Sequence, residues 1–255
     1  MKLTFLGTGT SQGIPVIGST HPVCLSNDFK DKRLRSSVLI TTAGKNIVID
    51  CGPDFRQQML RVNPKTVDAI LFTHEHSDHT AGLDDIRPFC FRQGDIQLYG
   101  EANVFQSLQQ RFAYIFETQN RYPGAPTVAM NTINENEKFL VANNTEVIPI
   151  RVMHDKLPIL GFRIGKVAYL TDAKIVSDTE IEKLLGVEVL VVNALREEEH
   201  ASHFTLSEAL NFVEKVKPKK AYLTHISHLL GFHEEVEENL PKNVFLGYDN
   251  LTIEI

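Results

Sequence analysis

No stretch of this 255-residue chain approaches the roughly 20 consecutive apolar residues that cross a bilayer, so a membrane-spanning helix is not expected. Cysteine is scarce. Cys24, Cys51 and Cys90 form an odd set without C-x-x-C spacing, which excludes a disulfide framework. Cys51 and Cys90 lie beside apolar segments and read as small core residues. Positive charge is also in deficit, with 26 Lys and Arg against 32 Asp and Glu, a net charge of −6. That balance argues against a general nucleic-acid binder held by phosphate contacts. It leaves room for a phosphate-containing substrate, because bound metal ions can invert a local field. The one basic cluster, KVKPKK at 215–220, follows a helical pattern and reads as a solvated helix C-terminus. After MKLTFL the N-terminus turns polar and glycine-rich, so it lacks the apolar core of a secretory signal; a cytoplasmic protein is expected. No linker, low-complexity segment or internal repeat divides the chain, and a single domain over 1–255 is expected.

Regular structure, by contrast, is plentiful. β-branched apolar runs ended by turn residues predict strands over 3–6, 37–41, 46–50, 69–73, 146–153, 160–164, 167–171, 187–193, 221–224 and 244–247. Helical periodicity covers 54–62, 82–91, 103–116, 178–185 and 206–216, with Ser177 or Asp178 and Thr205 as N-caps. This alternation suggests an α/β sandwich rather than a barrel of eight regular units. Residues 117–130 (ETQNRYPGAPTVAM) lack periodicity and are either a lid or a surface connection.

Chemistry is concentrated in FTHEHSDHTAG, residues 72–82, where His74, His76, Asp78 and His79 fall within six positions of a chain with 10 histidines. Imidazole and carboxylate are the usual ligands of zinc. Side chains two apart in a loop beyond a strand can point the same way, so His74 and His76 can grip one ion while Asp78 and His79 reach a second. Other apolar runs end in matching residues: His154 and Asp155 after PIRVM, Asp172 after VAYLT, His225 and His228 in AYLTHISH. Strand-end placement would let a rigid sheet present all of them at one rim.

The pattern H-x-H-x-D-H, followed by His154, Asp172 and His225, resembles the metallo-β-lactamase superfamily over essentially the whole chain, including LTFLGTGTSQGIP and the IVIDCGPDFRQQML stretch with Asp50. The resemblance implies an αββα four-layer sandwich with two mixed β-sheets and the metals at one edge. It implies a first ion on His74, His76 and His154, a second on Asp78, His79 and His225, and Asp172 bridging both. Zinc is the usual ion, and manganese or iron can occupy such sites. Two ions of this kind lower the pKa of a shared water and stabilise an in-line displacement, so hydrolysis is the expected reaction.

His203 lies twenty-two residues before His225. The same interval is found in the branch that includes tRNase Z and the PhnP-like phosphoribosyl cyclic phosphodiesterases. There it implies a general acid or transition-state hydrogen-bond donor, and His203 is counted with Asp78 among the catalytic residues. His200 reads as a surface histidine. That branch carries a structural zinc on three cysteines and a histidine; the corresponding frame here is Ser19, His21 and Cys24 in GSTHPVC, with His228. A serine is a poor zinc ligand, so either His21, Cys24 and His228 hold a third zinc or the loop is held by hydrogen bonds. Arg33 and Arg35 either meet a phosphate at the rim, Arg35 being the candidate substrate-binding residue, or are solvated charge before a strand.

The expected substrate is a small cyclic or nucleotide-like phosphodiester, with a lactonase or thiolesterase, or a non-catalytic metal-bearing sensor, as the alternatives. Long nucleic acid is not expected as a partner, because no insertion resembles a tRNA-clamping arm. The resemblance suggests a homodimer.

Overall fold

The computed structural model describes residues 1–142 and 144–255. Fourteen strands run through the described residues: β1 (Lys2–Gly7), β2 (Ser37–Thr42), β3 (Lys45–Ile49), β4 (Ala69–Leu71), β5 (Ile96–Gly100), β6 (Val128–Thr132), β7 (Phe139–Val141), β8 (Thr145–His154), β9 (Leu157–Ile164), β10 (Val167–Leu170), β11 (Val189–Asn193), β12 (Lys220–Thr224), β13 (Val244–Leu246) and β14 (Thr252–Glu254). They form two seven-stranded sheets, ordered β14-β1-β2-β3-β4-β5-β6 and β13-β12-β11-β10-β9-β8-β7. Each sheet has three antiparallel pairings followed by three parallel ones. The two sheets thus repeat one pairing pattern although the sequence shows no internal repeat, the first sheet taking its edge strand β14 from the far end of the chain.

Side-chain alternation builds the layers. In β11, Val189 and Val191 join the apolar layer between the sheets, where Phe5, Ile49 and Leu71 come from the other sheet. Leu190 and Val192 point the opposite way, onto Leu206, Ala209 and Phe212 of the helix Leu206–Val216. The first sheet does the same, with Val48, Ile70 and Leu98 packed on Phe55, Phe89 and Phe105 of its helices. Strands buried on both faces read as continuous apolar runs, as these do. The result is the expected helix–sheet–sheet–helix sandwich.

Local signals agree with the helix ends. Thr205 and Glu208 form a reciprocal capping box, and Ser177 accepts from the N–H of Glu180. Helical periodicity over 103–116 resolves into two helices, Ala102–Arg111 and Ala113–Phe116, which break at Phe112. The unpatterned stretch 117–130 is a connection that ends in the edge strand β6; that strand is only partly buried, so its sequence carries no strong apolar alternation. Among the described residues no helix is long and apolar enough to cross a membrane.

Candidate metal centre

Four strand ends meet at one edge of the sandwich. The loop beyond β4 carries His74, His76, Asp78 and His79; β8 ends on His154; Asp172 lies just past β10; His225 follows β12. This is where α/β sheets place their sites, outside the carboxyl ends of strands. Asp50, Asp172 and His225 all hold positive φ, at 63°, 56° and 55°. A non-glycine residue in that region is strained by about 1–3 kcal/mol, a cost tolerated where the aim of a side chain matters.

Two glycines let the ligand loop close on its neighbour. A Cβ on Gly52 would lie 1.9 Å from the Asp78 carbonyl, and one on Gly82 would lie 2.1 Å from the Gly52 carbonyl. The approach is fixed by the Cys51 N–H donating to the His79 carbonyl (2.9 Å) and the Gly82 N–H donating to the Cys51 carbonyl (2.8 Å).

Ligand atoms gather in adjoining sets: His74, His76 and His154; Asp78, His79, Asp172 and His225; and His154, Asp172 and His203, each within 4.8 Å. The seven expected ligands and His203 are therefore brought together, with Asp172 common to two sets. The His79 Nε2 lies 3.1 Å from Asp78 Oδ2 and 3.3 Å from Asp172 Oδ2, and the His225 Nε2 lies 3.2 Å from Asp172 Oδ1. Yet Nε2 of His74, of His79 and of His225 are buried without a properly directed hydrogen bond. Atoms that are near one another but aimed at a common point, rather than at each other, suit a cation between them. Tetrahedral zinc with bonds of about 2.1 Å spaces its ligands about 3.4 Å apart, close to these distances.

The opposite ring nitrogen is already engaged in His79, His74 and His154, though not in His225. Asp50 accepts from Nδ1–H of His79 at 2.7 Å and from the N–H and hydroxyl of Thr73 at 2.9 and 2.8 Å. The Thr73 hydroxyl, thus committed as a donor, accepts from Nδ1–H of His74 at 2.9 Å. Nδ1–H of His154 donates to the Ser202 carbonyl at 2.9 Å. Each bond fixes the tautomer that leaves Nε2 free for an ion, as outer partners of metal-binding histidines do.

Electrostatics point the same way. Asp50, Asp78 and Asp172 make no ion pair with lysine or arginine among the described residues; their charged neighbours are histidines. Burial opposes ionisation of Asp172, but His225 and His79 outweigh it and hold its carboxyl well below the usual range. Burial also opposes protonation of His79, and Asp172, Asp78 and Asp50 outweigh it to raise that imidazole well above its ordinary value. His74, beside it, is pushed well down by burial and then by His79. Buried carboxylates of this kind need cationic compensation, which a divalent ion supplies.

His203 is buried, with Nε2 3.0 Å from Asp172 Oδ1; burial pushes its pKa down to about 4. His200, expected at the surface, is partly exposed and lies with Nδ1 3.1 Å from Nδ1 of His203. The loop that carries both has no periodicity, so only the fold reveals the contact.

Arg33 is not at the rim: it is buried, bonded to the Thr8 hydroxyl, the Gly247 carbonyl and His233 Nδ1. Arg35 packs behind Gly52 and is held by Asp54, which accepts from its N–H at 2.8 Å and lies 3.2 Å from Nη1. The ligand atoms of His21, Cys24 and His228 do not converge into a further set. Cys24 is buried with Ile14 and Val23, its sulfur 3.5 Å from the Val16 N–H. His21 spends Nδ1 on capping the helix Pro22–Leu25 and sets its ring edge-on to His228, centroids 4.9 Å apart. These residues do not fit a structural zinc; hydrogen bonds and apolar packing hold the loop. Cys51 and Cys90 are buried core residues, as expected.

The beta-lactamase superfamily domain matches residues 45–226 of this chain. The chain belongs to the metallo-β-lactamase superfamily. Within that superfamily it is similar to a diphosphatase from the PhnP family, with 40 % identity and a TM-score of 0.92 over 100 % of this chain and 97 % of that one. An octanoyltransferase of Porphyromonas gingivalis is 44 % identical over 253 residues, which are 98 % of this chain and 51 % of that protein. Ribonuclease Z of Methanococcus maripaludis is 27 % identical over 194 residues, 74 % of this chain and 55 % of that protein. The chain spans about half the length of these two curated relatives, at 51 % and 55 %. As a superfamily member it carries His and Asp clusters suited to a divalent metal ion.

Proposed function

We propose that this protein is a metal-dependent hydrolase that carries two divalent ions and cleaves a small phosphoric diester. The observation that carries the reading is the set His74, His76 and His154 beside the set Asp78, His79, Asp172 and His225, with Asp172 also grouped with His154 of the first and His203 Nε2 3.0 Å from that carboxylate. His74, His76 and His154 would hold one ion, Asp78, His79 and His225 the other, and Asp172 both. Zinc suits such nitrogen and oxygen ligands. Bound there, the ions supply an acidified water and neutralise charge on the phosphoryl oxygens.

The chain's own residues do the rest. Asp50, Thr73 and the Ser202 carbonyl keep the ligand imidazoles aimed. As water oxygen bonds to phosphorus and the bond to the departing oxygen breaks, His203 Nε2–H donates to that oxygen, a contribution of about 10²–10⁴ in rate. The similarity to a PhnP-family diphosphatase over nearly its full length supports phosphorus as the centre attacked. A small substrate is favoured by the exposed acidic run Glu197–Glu198–Glu199, which precedes His200 and repels a polyanion.

A second reading is hydrolysis of an acyl thioester, favoured by the octanoyltransferase relative. That name belongs to a protein about twice as long, since the match covers 51 % of it. Acyl transfer through a thiolate has no support in the site, because Cys24, Cys51 and Cys90 are buried and none joins the ligand sets. The test is a side-by-side assay of the zinc-loaded protein on bis(p-nitrophenyl) phosphate, a lactone and octanoyl thioester. Faster turnover of the diester supports the proposal; preferential thioester cleavage replaces it with the second reading.

A further inference from the structure

His200 is three residues from His203 and touches none of the seven ligands by hydrogen bond, yet its placement bears on the reaction. Its Nδ1 lies 3.1 Å from Nδ1 of His203, with ring centroids 4.9 Å apart and planes at 62°. Ser202 seats both rings. Its backbone N–H points at His200 Nδ1 from 3.3 Å, and its hydroxyl lies 3.3 Å from that atom and 3.0 Å from His203 Nδ1. On its other side the His203 ring stacks on His225 at 4.8 Å and meets His154 edge-on at 4.7 Å, with Nε2 on Asp172 Oδ1.

We propose that His200 is a positioning residue for His203: its Nδ1, together with the Ser202 hydroxyl, captures Nδ1 of His203 and so turns Nε2 toward Asp172 and the departing oxygen. A neutral His203 that keeps its hydrogen on Nε2 accepts at Nδ1, from the Ser202 hydroxyl or His200 Nδ1–H, and a charged one donates there; in both states the contact favours only this ring orientation, whereas a neutral ring with its hydrogen on Nδ1 would leave Nε2 unable to donate. A flip about the Cβ–Cγ axis would put carbon against His200 and carbon against Asp172, losing both polar contacts. A donor held within about 10–20° of its working direction by neighbouring hydrogen bonds is what efficient hydrogen-bond catalysis requires. Ser202 alone leaves a rotatable hydroxyl at Nδ1; the imidazole of His200 is the rigid partner.

The substrate part of this inference rests on the phosphodiester reading; the geometric part does not. Two measurements separate them. The first compares His200→Phe, His200→Gln and wild type on a diester with a poor alkoxide leaving group, a 2′,3′-cyclic nucleotide, and on bis(p-nitrophenyl) phosphate, whose departing phenolate needs little help. For His200→Phe, kcat should fall about tenfold more on the alkoxide substrate than on the activated one, with KM unchanged, and His200→Gln should recover most of the loss. The second reads the side-chain ¹⁵N spectrum of His203 in the zinc-loaded protein. One fixed ring state is expected in wild type, and an exchanging one in His200→Phe. Equal losses on both substrates, a change confined to KM, or an unaltered His203 spectrum in His200→Phe would overturn the assignment. A wild-type protein inert on both diesters would sink the phosphodiester reading, and the spectrum would still decide the role of His200.

Discussion

The buried carboxylate of Asp50 accepts the Nδ1–H of His79 at 2.7 Å, and so fixes which nitrogen of that imidazole faces the other ligands. Asp50 is not itself in any ligand set. Through Thr73 it also orders His74. One residue thereby aims a histidine in each of two sets.

Asp50→Ala should therefore weaken metal binding without removing a ligand. Loss of such an outer partner typically costs about 10–100-fold in affinity. Competition titration against a chromophoric chelator measures it. Unchanged affinity in a folded variant would mean that Asp50 serves packing alone.

Arg111 clamps the ligand loop from outside, donating to the Glu75 carbonyl and Thr80 hydroxyl at 2.9 Å each and approaching the Ser77 hydroxyl at 3.4 Å. Because the side chain is exposed, Arg111→Ala should cost only about 1 kcal/mol of stability. Its effect on the loop should be larger, with kcat of the metal-saturated protein lowered about tenfold or more. Parallel melting and kinetic measurements check this; a large loss of stability with normal kcat would reverse the assignment.

Arg33→Met tests the buried placement of that residue away from the rim. Removing a buried charge from its partners costs about 3–5 kcal/mol, or roughly 10 °C in Tm for a chain of this size. The folded variant should keep the wild-type KM. A raised KM with little change in Tm would return Arg33 to the substrate.

His233 receives Arg33 Nη2 at Nδ1, and its pKa is pushed from 6.5 to about 4 by burial and then by Arg33. The unfolded chain then binds a proton between pH 6.5 and 4 that the folded chain refuses. Stability contributed by the neutral ring is fully present above pH 6.5 and is lost as pH falls through this window. Thermal melts of wild type and His233→Asn across that range should show a shallower acid slope in the variant. Parallel slopes would contradict the shift.

Much of the centre was legible because the ligands are rare residue types at strand ends: His74, His76, Asp78, His79, His154, Asp172 and His225 could be read as one constellation before any contact was known. The layers followed from apolar runs such as those of β11 and β12. What escaped was whatever depends on placement. Arg33 and Arg35 stand two apart in one basic segment, yet one is buried and the other holds Asp54. Edge strands β6, β7 and β14 bury few side chains and leave weak patterns. The repeated topology of the two sheets rests on hydrogen-bond pairing, which substitution can preserve after sequence likeness is gone. His200 looked like a surface histidine because nothing in EEEHASH announces that its ring folds back on His203.

The most direct test is a titration of metal-stripped protein with zinc, followed by bis(p-nitrophenyl) phosphate hydrolysis and elemental analysis at each step. The expected result is no turnover without metal, activity that reaches its plateau near two equivalents, and no third equivalent retained by the His21, Cys24 and His228 loop. Turnover by the stripped protein, or a metal-saturated protein inert on the diester, would contradict the account.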